Sequence, residues 1–578
     1  MNPEPQILIL DAGGQYCHLI ARKVRDLGVY AEVRASETAA AELRSAKGII
    51  ISGGPNSVYD DGSPTVDPTI FGCGHAVLGI CYGHQLMAHL LGGDVRKGTK
   101  GEFGLATLDL ENTNDPLFAG LGGRQQVWMS HRDLVAGLPA GFTAVGRTDT
   151  CAAAAIAAPE RRLYAVQFHP EVVHTTRGRE LLANFVFQVC HCQKDWDARH
   201  RAPLIEEEIR GCVGARNVFF FVSGGVDSTV AFALCTRALG ESRVRGVYVD
   251  TGLMREGETD FVSRMPGISV ECAQEQFLNA LAGVTDPEQK RHIIGEEFVR
   301  VQERVIESRR LLDEHWILGQ GTIYPDTIES GGTAKAAVIK THHNRVAGIQ
   351  KLIEDGRIVE PLKSFYKDEV REIGRELGLP AALLDRHPFP GPGLAIRCLC
   401  SDFDAGIRQT PEGWVIPVHS VGVQGDSRSY APVLAIDRLD HGRATELINR
   451  LTSVNRVIAL VKSHSSLPEM RVRACSLTSG RLARLRAADA AVRRLSHQSG
   501  FDHRVWQFPV VLIPVGTAEF PDSVVLRPIH SVDGMTAQSV AMEAELLNRM
   551  AHELLAQPGI AAVFYDLTHK PPATIEWE

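Results

Sequence analysis

Ser223-Gly224-Gly225-Val226-Asp227-Ser228-Thr229 is the stretch whose reading decides the fold. The run Phe219, Phe220, Phe221, Val222 before it has the composition of a buried strand, and Thr229 to Leu239 after it carries a helical pattern that stops at Gly240. A strand that passes through two glycines into a helix aims several backbone N–H groups, and the positive end of the helix, at one point in space. That point suits a phosphate. The loop is not a Walker A motif, because no Lys follows Gly225 and the glycine spacing differs.

It resembles the PP-loop of the ATP pyrophosphatases. The resemblance implies that Ser223, Gly224, Gly225, Val226, Asp227, Ser228 and Thr229 grip the β- and γ-phosphates of ATP while the α-phosphate is attacked, so that AMP and pyrophosphate are the products. Val244–Val249 reads as a neighbouring strand that ends in Asp250-Thr251-Gly252-Leu253. Two adjacent strand ends with glycine turns make a nucleotide crevice, so the adenosine is expected across Val249 and Leu253. Ile294, Phe298, Val301 and Val305 predict an amphipathic helix over residues 290–312, and Trp316-Ile317-Leu318 a strand that empties toward Gly321. Lys340, in a polar loop that could close as a lid, is a mobile charge able to neutralise departing pyrophosphate. ATP phosphates call for Mg2+, and Asp227 is the nearest candidate to help hold it.

Toward the N-terminus, Ile7–Leu10, Gly48–Ile51 and Ala76–Ile80 are short apolar runs ending in glycine-bearing turns, the habit of parallel strands with chemistry at their C-terminal ends. The third leads into Gly79-Ile80-Cys81-Tyr82-Gly83-His84-Gln85. Small residues on either side of Cys81 permit a sharp elbow that puts its thiol at a helix N-terminus, where a thiolate is favoured. Leu163–Phe168 reads as a strand delivering His169-Pro170-Glu171. His169 can then take the proton of Cys81 while Glu171 holds the imidazole in its working tautomer. The turn Ser52-Gly53-Gly54-Pro55 and the N–H of Tyr82 are oxyanion donors on this reading, with Gly54 and Tyr82 as the chosen pair. Gly-Gly-Pro, Cys-Tyr-Gly-x-Gln and His-Pro-Glu, in that order, resemble a class I glutamine amidotransferase. The resemblance implies glutamine hydrolysis through a thioester at Cys81, with Gln85 near the bound glutamine. His84 is assigned no chemistry.

The bulk properties agree with a multidomain α/β enzyme. A chain of 578 residues, 44% hydrophobic, 22% charged and carrying 54 Gly, divides most naturally into three domains, 1–198, 199–397 and 398–578. A net charge of −8 gives no reason to expect nucleic acid as partner. Only four apolar residues precede Asp11, which fits neither a signal peptide nor a membrane span, so a cytoplasmic location is expected and no membrane. The close pairs Cys190/Cys192 and Cys398/Cys400 lack zinc-knuckle spacing, and no protein-bound transition metal is expected.

In the C-terminal third, Trp414, Pro417, Val418, Val423, Val433 and Leu434 recur at a constant offset as Trp506, Pro509, Val510, Val515, Val525 and Leu526. This predicts a duplicated β-α-β unit, residues 410–436 and 502–528, each copy with a small sheet of its own and helices on one face. His387-Pro388-Phe389-Pro390-Gly391-Pro392-Gly393-Leu394 is too rich in Pro and Gly for a regular element and reads as a rigid connector or binding loop.

Tyr-Pro-Asp-x-Ile-Glu-Ser from Tyr324, Lys-x-His-His-Asn from Lys340 and the His387–Leu394 run, joined to the amidotransferase motifs and the PP-loop, resemble the glutamine-hydrolysing GMP synthetase family from Ile7 to Glu578. The resemblance implies a C-terminal tail folded over xanthosine monophosphate (XMP). Lys570 would lie near its phosphate, Ile575 and Glu576 at the same site, and Arg291, Asp426 and Gln507 at the other matching positions. The implied fold is α/β: a class I glutaminase domain, an adenine nucleotide α-hydrolase-like PP-loop domain with a parallel sheet, and a C-terminal α+β domain. The implied small-molecule partners are XMP, ATP and glutamine. Homodimer and monomer both stay open, since a duplicated unit can satisfy within one chain a sheet edge that otherwise pairs between two. Two rival readings are another PP-loop amidotransferase, such as an NAD or asparagine synthetase, and a catalytically silent nucleotide-sensing or protein-binding module. The Lys570-Pro571-Pro572 tail speaks against the first and the intact triad and loop against the second.

Overall fold

Strands buried on both faces are apolar throughout, and the runs named above form the parallel half of one sheet. The computed structural model describes residues 3–14, 16–111, 115–326, 347–424, 427–451, 453–531, 537–570 and 572–578. Their contacts divide into two units, each described by itself. One gathers the described residues of Met1–Leu204, Ile323–Ala337 and Ser364–Ile373, and the other those of Ile205–Thr322, Val338–Lys363 and Gly374–Glu578.

In the first unit, β1 (Ile7–Asp11), β2 (Ala31–Ala35), β3 (Gly48–Ile51), β4 (Ala76–Ile80), β5 (Asp94–Leu110), β6 (Arg124–Gly137), β7 (Thr143–Arg147), β8 (Ala155–Ala158) and β9 (Leu163–Val166) make one sheet in the order β2-β1-β3-β4-β9-β8-β7-β5-β6. Strands β2 to β9 of that order are parallel, and the rest is antiparallel. The alternation of a strand sorts its side chains: Ile7 and Ile9 pack with Ile20 and Val24 of helix α1 (Cys17–Arg25), whereas Leu8 and Leu10 join Leu86 and Met87 of α2 (Tyr82–Leu90) on the other face. The two later segments attach around Arg25. Its buried guanidinium lies 4.7–5.0 Å from the ring centroids of Tyr30, Trp196, Tyr324 and Tyr366, and 3.2 Å from the Glu369 carboxylate. The N–H of Val33 donates to the Tyr324 hydroxyl at 2.6 Å. The aromatic walls and the carboxylate compensate a cation that would otherwise not tolerate burial.

In the second unit, β10 (Asn217–Phe221), β11 (Val244–Asp250), β12 (Ile268–Cys272), β13 (Trp316–Gly319) and β14 (Ile358–Val359) form an all-parallel sheet in the order β12-β11-β10-β13-β14. The helix Pro287–Ser308 covers it with Ile294, Val301 and Val305, capped at its start by Asp286, whose carboxylate accepts from the Gln289 N–H at 2.8 Å. The His387–Leu394 run is clamped to the turn that follows β11. The Leu394 N–H donates to the Leu253 carbonyl at 2.7 Å, and Gly393, at φ +65°, leaves room where a Cβ would sit 2.4 Å from that oxygen.

The C-terminal strands form one sheet in the order Arg408–Thr410, Gly413–Gln424, Ser427–Ile436, Arg456–Ser463, Ile560–Asp566, Asp522–Leu526, Val510–Ile513. Ser427–Ile436 runs parallel to Arg456–Ser463 across the helix His441–Arg450, and Asp522–Leu526 parallel to Ile560–Asp566 across Ala544–Leu555. These β-α-β units meet where Arg456–Ser463 pairs antiparallel with Ile560–Asp566. The expectation of a separate small sheet in each copy is therefore corrected, and so are its bounds: residues 410–436 and 502–528 each hold an antiparallel strand pair, and the helix of each β-α-β unit comes after them. Either unit alone would end in an unpaired edge of N–H and C=O groups, and joining the two edges satisfies both. Helices His441–Arg450, Ser479–Ser499 and Ala544–Leu555 bury Leu447, Leu485 and Leu554 on one face, while Val433, Ile458, Phe564 and the indole of Trp577 fill the other. No helix among the described residues is long and apolar enough to cross a membrane.

Candidate active sites

Strand β4 turns into α2 at Cys81, which adopts φ +54°, ψ −104°, a conformation that costs a non-glycine residue strain of about 1–3 kcal/mol. Hydrogen bonds over-determine it: the Cys81 N–H donates to the Val166 carbonyl at 2.8 Å and the Gly83 N–H to the Ser52 carbonyl at 3.1 Å. The flanking glycines are steric necessities, because a Cβ on Gly79 would lie 2.5 Å from the Gly83 oxygen and one on Gly83 2.3 Å from the Ile51 oxygen. Tyr82 is the first residue of α2, so its N–H has no acceptor within the helix.

His169 follows β9, and its Nδ1 lies 2.7 Å from Oε1 of the fully buried Glu171. Burial acts to discharge the His169 imidazole, but the Glu171 carboxylate and the Cys81 sulfur outweigh it and hold its pKa well above the ordinary 6.5. The backbone carbonyl of His169 accepts from Thr175 Oγ1 at 2.6 Å, and the Tyr16 ring meets the imidazole edge-on at 5.2 Å. Gly53 lies against both the His169 and the Cys81 side chains, a Cβ there falling 3.1 Å from His169 Cε1 and 3.5 Å from Cys81 Cβ. Gly54 instead backs onto Ala12, whose carbonyl oxygen would lie 2.4 Å from its Cβ. Gln85 is nearly buried, with its amide donating to the Asp133 carbonyl at 2.8 Å and to Gln167 Oε1 at 3.1 Å. Gln167, which sequence reasoning missed, reaches Cys81 itself: its Nε2 lies 3.7 Å from Sγ. Its signal was its place two residues before His169, on the same side of a strand end.

At the second loop, β10 ends at Phe221 and the helix starts at Val226, three residues earlier than the pattern predicts, after Gly224 at φ +77° and an extended Gly225. Val226, Asp227 and Ser228 thus supply the first turn, Val226 buried and the other two half-buried, with its N–H groups and an acidic residue suited to the helix dipole. Ser223 Oγ sits 3.0 Å from Ser228 Oγ and accepts from the Gly225 N–H at 3.2 Å. Thr229 is fully buried beneath them. Gly321 closes the loop from the side, a Cβ there falling 2.7 Å from the Ser228 nitrogen. Val249 and Leu253 turn their side chains into the hydrophobic core and leave only backbone at the crevice. No group of three or more His, Cys, Asp or Glu that could hold a metal occurs among the described residues. Lys340 and Asp426 lie outside the described residues.

The tail is pinned on every side. Glu576 is held by both Nε and Nη2 of the buried Arg397, at 2.9 and 2.7 Å, and Glu578 by Lys290 at 2.7 Å. The Arg291 guanidinium donates to the backbone carbonyl oxygen of Glu578. Arg527 donates to the carbonyls of Ile575 and Thr574 at 3.0 and 2.7 Å, and Arg456 to that of Glu576 at 2.7 Å. Both guanidinium groups converge on Asp566. Lys570 exchanges backbone hydrogen bonds with Ala537, and Gln507 with Ile529.

Family models match three stretches: Glutamine amidotransferase class-I over residues 8–189, NAD synthase over 199–262, and GMP synthase C terminal domain over 495–577. The chain is 41% identical over 584 residues to GMP synthase [glutamine-hydrolyzing] of Symbiobacterium thermophilum, covering 99% of each chain. It is 40% identical over 592 residues to the protein of that name from Caldicellulosiruptor saccharolyticus, again over 99% of both. With a class I glutamine amidotransferase domain, a PP-loop domain and a GMP synthase C-terminal domain in one mixed α/β chain, the protein belongs to the family of glutamine-hydrolysing GMP synthases.

Proposed function

We propose that the chain converts XMP, ATP, glutamine and water into GMP, AMP, pyrophosphate and glutamate, with residues 1–198 as the glutaminase, 199–397 as the ATP pyrophosphatase and 398–578 as the XMP-binding part. The observation that carries the reading is a strained Cys81 at a helix N-terminus beside a His169–Glu171 pair, in a chain that also holds a glycine-built PP-loop. In the glutaminase reaction His169 takes the Cys81 proton and the thiolate attacks the glutamine amide carbon. The Tyr82 N–H and the glycine turn at Gly53 and Gly54 stabilise the oxyanion. As the C–N bond breaks, His169 returns the proton to the departing ammonia, and water then cleaves the thioester. Gln85 supports the glutamine pocket from within.

In the synthetase reaction the O2 oxygen of XMP attacks the α-phosphate of ATP and pyrophosphate leaves. Ser223, Gly224, Gly225, Val226, Asp227, Ser228 and Thr229 cradle the phosphates from the helix N-terminus, Gly321, Val249 and Leu253 border the nucleotide, and Lys340 balances the leaving charge. Magnesium would arrive with ATP and neutralise phosphate charge; the Asp227 carboxylate and the Ser223 and Ser228 hydroxyls are the hard oxygen donors it prefers. Ammonia displaces AMP from the adenylated base. Arg291, Asp426, Gln507, Lys570, Ile575 and Glu576 form the XMP site, the tail being held in place by Arg397, Arg456 and Arg527. Cys81→Ala tests the division of labour: GMP formation with glutamine should disappear and that with ammonium persist, whereas retention of glutamine-dependent synthesis would remove Cys81 from the mechanism.

A further inference from the structure

The buried amide of Gln167 faces the reacting sulfur, and the surrounding donors dictate which of its ends does so. The Asp133 backbone carbonyl can only accept, so it takes an N–H of the Gln85 amide, at 2.8 Å. The second N–H of that group donates to Gln167 Oε1 at 3.1 Å. His84 Nδ1 lies 3.1 Å from the same oxygen and must donate to it. Burial lowers the His84 pKa to about 4, so this is the neutral ring with its proton on Nδ1. Both lone pairs of Gln167 Oε1 are then occupied, and its amide nitrogen, 3.7 Å from Cys81 Sγ, has only N–H to offer the sulfur.

We infer that Gln167 is a further catalytic residue of the glutaminase, holding the Cys81 thiolate with an N–H hydrogen bond, and that Gln85 and His84 act as positioning residues that fix its amide. This rests on the reading of Cys81 as the nucleophile. The thiol has a different partner, the Ser130 carbonyl 3.6 Å from Sγ, which can accept S–H but repels a sulfur anion. Loss of the proton therefore calls for compensating donors, and Gln167 and the first turn of α2 provide them. No proton leaves Gln167 at any step. The titratable groups facing the site are His169 and Glu171 after β9, His84 in α2, His131 paired with Glu102 from β6 and β5 at 3.2 Å, and Cys17 with Asp11 from α1 and β1. Of these, His84 hydrogen-bonds to Gln167, and Gln167→Glu keeps an acceptor for it.

The consequence is a signature in pH. Without the donor, the rising limb of glutaminase activity moves up by about one pH unit. A tenfold smaller thiolate fraction is partly offset by a more nucleophilic sulfur, with a Brønsted slope of about 0.4–0.5, so the loss near neutrality is about three- to fourfold. On the alkaline plateau the loss vanishes. The experiment measures kcat/KM for glutamine against pH with XMP and ATP present, for the full chain and for Gln167→Met. Iodoacetamide labelling of the Cys81 peptide is followed across the same pH range, and ammonia-dependent GMP formation reports folding. Gln167→Glu, which keeps the accepted hydrogen bonds and puts an oxygen against the sulfur, should displace the limb at least as far. A displaced limb in both readouts, with activity recovered on the plateau, supports the inference. An equal loss at every pH with an unmoved limb overturns it and leaves Gln167 a packing residue. A Cys81→Ala chain that still uses glutamine overturns the parent reading instead, and the two failures are distinguishable.

Discussion

Asp566→Asn is the perturbation that tests most directly how the tail is held. The wild-type carboxylate is fully buried, and its Oδ2 accepts from Arg456 Nη1 at 3.0 Å and Trp577 Nε1 at 2.9 Å and is ion-paired with Arg527 Nη1 at 2.7 Å. All three donors are fully buried as well. Burial already lowers the Arg456 pKa to about 9, with repulsion from Arg527 adding to it, so the site tolerates two guanidinium groups only because the anion is there. Breaking a buried ion pair from one side costs about 3–5 kcal/mol, since it leaves the other charge uncompensated. The same guanidinium groups grip the carbonyls of Thr574, Ile575 and Glu576, so the cost should appear first as detachment of the tail rather than as global unfolding. Hydrogen exchange at the Val421 amide, which donates to the Trp577 carbonyl at 2.9 Å, should accelerate by roughly two to three powers of ten, and KM for XMP should rise. The sign with pH follows from the direction of the shift. Burial pushes the Asp566 pKa up, but Arg527 and Arg456 bring it below the ordinary 3.8. Its stabilisation is then complete above the ordinary value and lost as pH falls through the lowered one, so the two proteins converge only in strong acid. Exchange at Val421 that is unchanged at neutral pH would refute the reasoning.

Two other substitutions probe the reaction centres. Glu171→Gln removes the anion that raises the His169 pKa and makes it a stronger base, so the rate of glutaminase activity should drop at least about tenfold, read across a pH profile. The raised His169 pKa also contributes stability that is complete below about 6.5 and lost as pH rises through the raised value, and thermal melts of the Gln variant should lack that component. Gly321→Ala drives a Cβ to 2.7 Å from the Ser228 nitrogen, so KM for ATP should rise about tenfold while iodoacetamide labelling of Cys81 is unchanged.

Local chemistry made the loops legible. Gly79, Gly83 and Gly224 mark places where a Cβ is excluded or φ is positive, and a glycine in the chain is a direct record of either. The Cys81, His169 and Glu171 set was readable for the same reason, as each residue sits at the end of a short apolar run. What escaped was set by long-range packing. Nothing near Val249 or Leu253 says that their side chains face the core and only their backbone the crevice, because both faces of a parallel strand are apolar. Arg456, Arg527 and Asp566 meet only after the two β-α-β units join edge to edge, and Arg25 finds Tyr324, Tyr366 and Glu369 from segments far along the chain. Gln167 was hidden by ordinariness: a Gln just past a strand end gains meaning only when its partners fix which end of the amide faces the sulfur.

The two glycine-flanked loops solve opposite problems with one device. At the PP-loop the positive φ falls on Gly224, the helix N-terminus stays open, and the ligand brings the negative charge. At the elbow the positive φ falls on Cys81, because the charge must be part of the chain and must project from the sharpest point of the turn. A glycine there would relieve the strain and abolish the chemistry. The strain is sustained by neighbours that cannot move: Gly83 is packed against the Ile51 carbonyl, its N–H is tied to Ser52, and the Cys81 N–H is tied to β9 through Val166. Since β9 runs directly into Gln167 and His169, the strand that holds Cys81 in its strained conformation also delivers the two groups that lie beside its sulfur. The geometry of the three residues is therefore set by one strand pairing, β4 with β9.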